Sequence, residues 1–355
     1  MTRIAPYFIA AFLFMSSCYS PKNPNSKTGT AAAIAQLNDL LQKQELPPQT
    51  FTVPSKGPSL VTGKKGTRIS INPSDLETES GKPLGPNIEV ELKELTNQQD
   101  LLSANAQTVA GGRLLVSGGA YFIGMVSNGE KLKLKAGRTL NVQFPQLSNK
   151  DMALFYGQRN QQGQMDWQKT PDVLKSDNTP KTTDTPIVPT DVEGNSSDYD
   201  AVLDYIKDTA KYKPTPEQVE KTKKLQKTYE ANQKVYNAIG LNQLGWINCD
   251  RFLEVENKTG LYASLDPKDS IQTANMYLVF KGINSVIQGW GQEDSLPQFA
   301  NIPIGYKARL IAYALKGEKV FAYSADLTIA KGQRMVLDLK EINDKDFKKL
   351  MGSQP

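Results

Sequence analysis

The stretch Ile88-Glu89-Val90-Glu91-Leu92-Lys93-Glu94 decides the fold class, because Ile88, Val90 and Leu92 alternate with charged residues. Successive side chains of a β-strand point to opposite faces of a sheet. A period of two therefore predicts a strand with one buried and one exposed face. Gly81, Gly85 and Pro86 come just before this stretch and indicate a turn that leads into the strand.

Residues 61–168 repeat this pattern in short segments that recur about every ten residues. Glycine-rich turns separate the segments. Asn128-Gly129 is a strong signal for a two-residue hairpin, and Gly118-Gly119 is predicted to be another turn of this kind. Short strands joined by such turns are typical of an antiparallel β-sandwich rather than of a parallel sheet.

Three parts of this region resemble the β-sandwich domain of ankyrins and netrin receptors, versions of which are common in lipoproteins of the Bacteroidota. They are the run Gly66–Pro73 (GTRISINP), the turn Gly81-Lys82-Pro83 and the strand Ile88–Glu94. The resemblance covers roughly a hundred residues. It implies a module for protein interaction or spacing, because such sandwiches share no catalytic residues.

Residues 241–355 return to a β pattern. Strands are predicted at 244–252, 277–280, 307–313, 319–323 and 334–339, with a terminal helix at 344–351. The run Phe299–Gly305 (FANIPIG) resembles the carboxypeptidase-type regulatory domain, in which a Pro-x-Gly corner precedes a strand. The sequence thus predicts a mainly β protein with two antiparallel β-sandwich domains, joined by a polar linker and an αα-hairpin.

The two predicted joining segments follow one another. Residues 169–197 contain four prolines and few aliphatic residues, so a linker or long exposed loop is predicted there. Residues 198–240 are predicted to be a helical hairpin, because Thr215 and Gln218 form a capping box around Pro216.

Residues 211–234 hold seven lysines and three glutamates. They could contact membrane head groups or cell-wall polymers, but three Glu-to-Lys pairs at i,i+4 spacing favour a solvated helix face.

The N-terminus resembles a bacterial lipoprotein signal. Arg3 precedes the apolar run Ile4–Met15, and Ser16-Ser17 come just before Cys18. The run is too short to span a bilayer of about 30 Å as a helix. Residues 1–17 are therefore predicted to be a signal peptide, and the resemblance implies that Cys18 is lipidated. An ordinary signal peptide, with Cys18 incidental, is the alternative.

Residues 18–60 are predicted to be a disordered tether, with a short helix possible at 31–44.

The resemblance to lipoprotein signals also indicates a location. Tyr19 rather than Asp follows Cys18, which points to the outer membrane. The early tether lacks the acidic residues linked to surface export, which favours the periplasmic face.

Without residues 1–17 the chain carries 41 basic and 37 acidic side chains, a mild net charge of +4. Neither that charge nor any motif indicates a nucleic-acid partner.

The chain contains no histidine. This excludes the Ser-His-Asp and Cys-His nucleophile systems and the usual histidine-containing zinc sites. If Cys18 is acylated, Cys249 is the only other cysteine and no intramolecular disulfide can form. No cofactor or metal site is predicted.

The densest unusual run is Leu244–Phe252 (LGWINCDRF). A period of two places Trp246, Asn248, Asp250 and Phe252 on one face, and Ile247, Cys249 and Arg251 on the other. Trp246, Asp250 and Arg251, with Trp290, are the candidate patch for a protein or glycan partner. Cys249 could act as a nucleophile aided by Arg251, but the favoured interpretation of the run is core packing.

Two functions remain after this reasoning. The first is a lipid-anchored, non-enzymatic binding or scaffolding protein of the cell envelope, with an envelope protein or a glycan as its partner. The alternative is a glycan-directed hydrolase in the C-terminal domain. That enzyme would use a pair of carboxylates drawn from Asp266, Asp269, Glu293 and Asp294.

Overall fold

A computed structural model describes residues 25–160, 163–171, 174–177, 235–271, 273–289 and 298–352. Strands make up 52% of the structure and helices 12%, and the sheets are antiparallel. The mainly β prediction is therefore confirmed. Within the part of the chain that the structure describes, no helix combines the length and the apolar character needed to cross a bilayer.

In the first half of the chain, the described residues form two α-helices and eleven strands. The helices are α1 (Asn25–Gln42) and α2 (Gln98–Ser103). The strands are β1 (Gln49–Pro54), β2 (Ser59–Thr62), β3 (Arg68–Ile71), β4 (Leu76–Thr78), β5 (Asn87–Leu95), β6 (Val109–Ala110), β7 (Arg113–Ser127), β8 (Glu130–Leu134), β9 (Leu140–Pro145), β10 (Ala153–Arg159) and β11 (Met165–Lys169).

In the second half, the described residues form eleven further strands and an α-helix, α3 (Asp344–Leu350). The strands are β12 (Leu174–Asp177), β13 (Val235–Leu241), β14 (Gly245–Phe252), β15 (Lys258–Leu265), β16 (Asn275–Phe280), β17 (Val286–Gln288), β18 (Phe299–Pro303), β19 (Lys307–Lys316), β20 (Lys319–Thr328), β21 (Arg334–Leu337) and β22 (Lys340–Ile342).

Two sheets share the first hydrophobic core. One has nine strands, with β1-β5-β7-β14-β10-β11 as its main path, and the other has the order β12-β13-β9-β3-β2. Ile88, Val90 and Leu92 are completely buried in this core, as their alternation predicts. The rings of Tyr121 and Phe144 meet there with centroids 4.3 Å apart.

Two smaller sheets, β18-β15-β21 and β17-β16-β19-β20-β22, enclose another core in the C-terminal part. All strand pairs are antiparallel except β15 with β21. Gly305 adopts a φ of +83° at the corner between β18 and β19. The corner predicted from the Pro-x-Gly spacing is therefore present, because glycine adopts positive φ without steric cost.

The prediction of a disordered tether over residues 18–60 is wrong for residues 25–60. Leu37 and Leu41 of α1 are each only 1% exposed, in a third core cluster that also contains Trp167 and Tyr313. Tyr313 Oη donates a hydrogen bond to the carbonyl of Leu37, 3.3 Å away. This apolar stripe fixes the helix to the sheets, and β1 and β2 follow it as ordinary strands.

The predicted linker and helical hairpin do not join two sheet systems. Strands β12 and β13 are antiparallel neighbours, and Asp177 lies directly opposite Val235. Residues 235–240 are therefore strand rather than the end of a helix. The chain leaves one sheet at 177 and returns to the same sheet at 235. Most of both predicted segments lies outside the described residues.

This pairing predicts that residues 178–234, a 57-residue stretch, can be replaced by an Asn-Gly turn. Two residues suffice to connect directly opposed antiparallel strands, and a shorter loop costs less closure entropy. We expect the free energy of unfolding to rise by up to about 3 kcal/mol, because the loop shortens by almost five doublings of length at about 0.6 kcal/mol each. Urea titration measures this change. Loss of cooperative unfolding would contradict the hairpin assignment.

Two predictions around β14 also need correction. β14 lies between β7 and β10 in the nine-stranded sheet, so it belongs to the first core and not to a separate sandwich beginning at residue 241. Gly118 and Gly119 form no turn but lie inside the continuous strand β7, at an irregularity in its pairing with β14. A Cβ on Gly119 would lie 2.4 Å from Tyr121 Oη, so glycine is required there.

Candidate functional site

A cleft of about 550 Å³ lies at the start of β1. Residues 45–48, which connect α1 to β1, form one wall, and the β2–β3 turn with Lys64 and Lys65 forms another. The end of β5 and the side chains of Asp100 and Ser103 from α2 close it. A volume of this size is typical of sites that bind small molecules or short polymer segments.

The β2–β3 turn is built around the carboxylate of Glu94, a side chain that is only 6% exposed. Its Oε2 accepts hydrogen bonds from Gln49 Nε2 and from the backbone N–H of Lys65, both at 2.8 Å. Its Oε1 accepts from the backbone N–H of Thr67 at 3.0 Å. The turn holds this carboxylate closely, because a Cβ on Gly63 would lie 2.7 Å from Oε2.

Two ion pairs arrange the remaining charges of the cleft. Lys65 Nζ lies 2.6 Å from Asp100 Oδ2, with side chains 34% and 8% exposed respectively. Lys93 Nζ lies 2.7 Å from Glu45 Oε1, with side chains 21% and 11% exposed. In both pairs the lysine is the more accessible partner. Lys64 is exposed, so at the β2–β3 turn the cleft presents Lys64 and Lys65 outward, with the carboxylates of Glu94 and Asp100 beneath them. Lys93 lies on the opposite face of β5 from Glu94, where its ammonium group is 6.0 Å from the Trp246 ring.

The wall opposite the β2–β3 turn is apolar. Leu46 is 69% exposed, the largest value among the exposed large hydrophobic residues that the structure describes. Pro47, Pro48 and the half-buried Phe51 continue this surface into the cleft. The arrangement can hold a ligand that combines an anionic group with an apolar portion.

The structure does not bring the predicted patch together at the surface. Trp246 is half-buried on the outer face of the nine-stranded sheet, 5.3 Å from the Phe122 ring. The Arg159 guanidinium lies 5.0 Å from the centroid of Trp246. Asp250 is 0% exposed, so it cannot contact a partner, and this part of the prediction is wrong. Arg251 is partly buried, and Trp290 lies outside the described residues.

Asp250 instead lies in a buried polar cluster with Asn248 and Ser117 at the irregular part of the β7–β14 pairing, whereas Cys249 lies in the first hydrophobic core. Asn248 Nδ2 donates a hydrogen bond of 2.6 Å to Asp250 Oδ2. Burial raises the pKa of Asp250 to about 7, and nearby polar groups of Ser117, Asn248 and Gly118 only partly oppose this.

Burial, together with the neighbouring Asp250, also raises the pKa of the Cys249 thiol well above its ordinary value. Nucleophilic cysteines need a lowered pKa, so this environment favours the packing interpretation of Cys249.

Two of the four carboxylates considered for hydrolysis, Asp266 and Asp269, belong to the same short turn of the chain. Asp266 caps a short 3-10 turn, where its Oδ1 accepts a hydrogen bond of 2.9 Å from the backbone N–H of Lys268. Asp269 closes that turn. Glu293 and Asp294, like Cys18 and the basic residues 211–234, lie outside the described residues. Across the described ranges, no cluster of three or more Cys, Asp or Glu side chains could hold a metal ion.

The cleft was missed by sequence reasoning, although one signal for it was present. Glu94 follows Ile88, Val90 and Leu92 at the same period of two, so the pattern places a carboxylate on the buried face. A buried carboxylate needs donors. The turn that follows Gly63 supplies two of them, the backbone N–H groups of Lys65 and Thr67, and the side chain of Gln49 supplies the third.

Comparison with known proteins adds no assignment: no family model, curated protein or solved structure matches this chain.

Proposed function

We propose that this chain is a lipid-anchored protein of the cell envelope that binds an anionic group of an envelope protein or glycan in the cleft between α1, β1 and the β2–β3 turn. Binding takes place without catalysis. The anchor is Cys18, at the periplasmic face of the outer membrane. The observation that supports the binding function is the layering of charge at the β2–β3 turn, where Lys64 and Lys65 lie at the rim above the carboxylates of Glu94 and Asp100. Exposed Leu46 also lines the cleft.

The charge layering makes a measurable prediction for Lys64. The Lys64→Glu variant replaces a rim cation by an anion, so we expect its affinity for anionic probes to fall about tenfold, or about 1.4 kcal/mol. The probes are a glutamate-rich peptide and a uronic-acid oligosaccharide, with a neutral oligosaccharide for comparison. Isothermal titration calorimetry at low and high salt measures the effect, and salt should weaken binding in the parent protein.

Lys331→Glu is the matched control, because Lys331 is an exposed lysine in the C-terminal part of the chain that does not line the cleft. It gives the same change in net charge. Equal losses of affinity in the two variants, or no binding of either anionic probe to the parent, would rule out the cleft as the binding site.

The anchor is tested separately from the cleft. Metabolic labelling with palmitate should mark the parent protein and leave a Cys18→Ala variant unlabelled. Equal labelling of the two, or fractionation of the protein with the cytosol, would remove the anchoring part of the proposal without affecting the binding experiment.

A further inference from the structure

Strand β1 forms an edge of the nine-stranded sheet and borders the cleft. Among the strands that the structure describes, β1 pairs only with β5. Its residues Gln49, Thr50 and Phe51 line the cleft. The outer side of β1 thus combines an open backbone edge with the charged rim described above.

The hydrogen-bonding pattern identifies which backbone groups face outward. Just beyond β1, the N–H of Ser55 donates to the carbonyl of Pro86 at 2.9 Å, so Ser55 faces the β5 side. Residues of an antiparallel strand alternate between bonding to one neighbour and to the other. Gln49, Phe51 and Val53 therefore bond to β5, whereas Thr50, Thr52 and Pro54 direct their backbone groups to the open edge.

Among the residues that the structure describes, the open edge carries little of the usual protection against pairing. Edge strands are normally blocked by charged residues, proline or bulges, but Thr50 and Thr52 are exposed threonines, a residue type that favours strands. Pro54 stands only at the end of the strand. The backbone groups of Thr50 and Thr52 can pair with one further extended chain.

We propose that the partner is an extended, acidic peptide segment that adds to β1 as a further strand and places a carboxylate side chain at Lys64 and Lys65. The inference rests on the binding function proposed for the cleft and specifies its ligand. The backbone edge selects a polypeptide, because a glycan has no regular row of N–H and C=O groups to match it. The lysine rim selects acidic side chains.

The test uses the mature chain in detergent and a fluorescent seven-residue peptide of alternating threonine and valine with a glutamate at each end. We expect Thr52→Pro to weaken its binding about tenfold, because the variant removes one outward N–H and hence about one backbone hydrogen bond. Proline is tolerated where the N–H faces away from the sheet. Thr52→Val keeps the N–H and should bind like the parent protein.

Three further measurements keep the result interpretable if Thr52→Pro folds poorly. A peptide N-methylated at alternate residues should not bind the parent protein. The same peptide with lysines in place of the glutamates should bind at least about tenfold more weakly. Hydrogen exchange of the Thr50 and Thr52 amides should slow when the acidic peptide binds.

The outcomes separate this inference from the proposed function. In one outcome, the peptide does not bind but the uronic-acid oligosaccharide does, and its affinity falls in Lys64→Glu but not in Thr52→Pro. The cleft is then a glycan site, and strand addition is overturned. The parent protein could instead form a dimer that the Thr52→Pro variant does not form and that the peptide does not dissociate. That result would assign the edge to a second copy of the chain and would also overturn the peptide proposal. If no anionic probe binds, the binding function itself fails.

Discussion

Replacing Glu94 by alanine should lower the free energy of unfolding by about 4 kcal/mol, because it leaves three buried or half-buried donors without an acceptor. These are the backbone N–H groups of Lys65 and Thr67 and the side-chain amide of Gln49. Thr67 is completely buried, so water cannot replace the carboxylate at that position. Urea unfolding measures the change.

Glu89→Ala is the matched control for this experiment. Glu89 lies on the same strand, but its side chain is exposed on the opposite face, so its removal should change stability by less than about 0.5 kcal/mol. Glu94→Gln should lie between the two, since one amide oxygen can still accept while the NH2 group faces donors. If Glu94→Ala were as stable as Glu89→Ala, the carboxylate would not organise the turn.

Loss of this turn should also affect binding, because the turn positions Lys64 and Lys65 at the rim. The acidic probe should therefore bind more weakly to Glu94→Gln even at temperatures where that variant is fully folded.

The strands were predictable where burial itself leaves a period in the sequence. Ile88, Val90 and Leu92 are buried and their neighbours are not, so the alternation records the two faces of β5 directly. Asn128-Gly129 was predictable for a similar local reason, since both residues adopt positive φ in the hairpin. Both signals depend only on residues that are neighbours in the sequence.

Pairing between distant strands has no comparable local signal. Nothing in Gly245–Phe252 indicates that β14 lies between β7 and β10 rather than opening a second sandwich. The two-domain division stays a prediction, but its boundary at residue 241 is wrong, because residues 241–252 belong to the first core. Gly118-Gly119 could equally mark a turn or a β-bulge, and the crowding of Gly119 by Tyr121 becomes visible only in three dimensions.

The cleft illustrates the same limit. Its charges come from four separate segments, and apart from Glu94 each lysine or carboxylate alone resembles an ordinary surface residue. The stripe of Leu37, Leu40 and Leu41 was visible in the sequence, but flanking prolines and polar residues favoured a tether. Packing of that helix against Tyr313 is a tertiary contact that a local pattern does not record.

The protein should lose stability as the pH rises from about 4.5 to about 7.5, and Asp250 should cause most of this loss. Burial gives Asp250 a pKa of about 7 in the folded chain, against an ordinary pKa of 3.8 for an aspartate. Between these values the unfolded chain has released the proton while the folded chain retains it. The unfolded state therefore binds fewer protons, and stability falls as pH rises through this window.

The expected loss is about 3 kcal/mol between these two pH values. Asp250→Asn should remove it, because the amide keeps the shape of the neutral carboxyl group but does not titrate. The two proteins should have similar stability at the lower pH, and the variant should be the more stable one at the higher pH. Chemical denaturation at both pH values measures how much the free energy of unfolding changes with pH in each protein.

The absence of histidine makes this window unusually clear, because the side chain that ordinarily titrates between pH 5 and 8 does not occur in the chain. Asp326→Asn is the control. Hydrogen bonds from Arg309 and Lys281 lower the pKa of Asp326 to about 2, so this residue stays ionised throughout the window and its variant should keep the slope of the parent protein. If the stability of Asp250→Asn fell with pH as steeply as that of the parent protein, Asp250 would already be ionised inside the fold. The buried cluster at β7 would then need a counter-charge, which its neighbours Ser117, Asn248 and Gly118 do not provide.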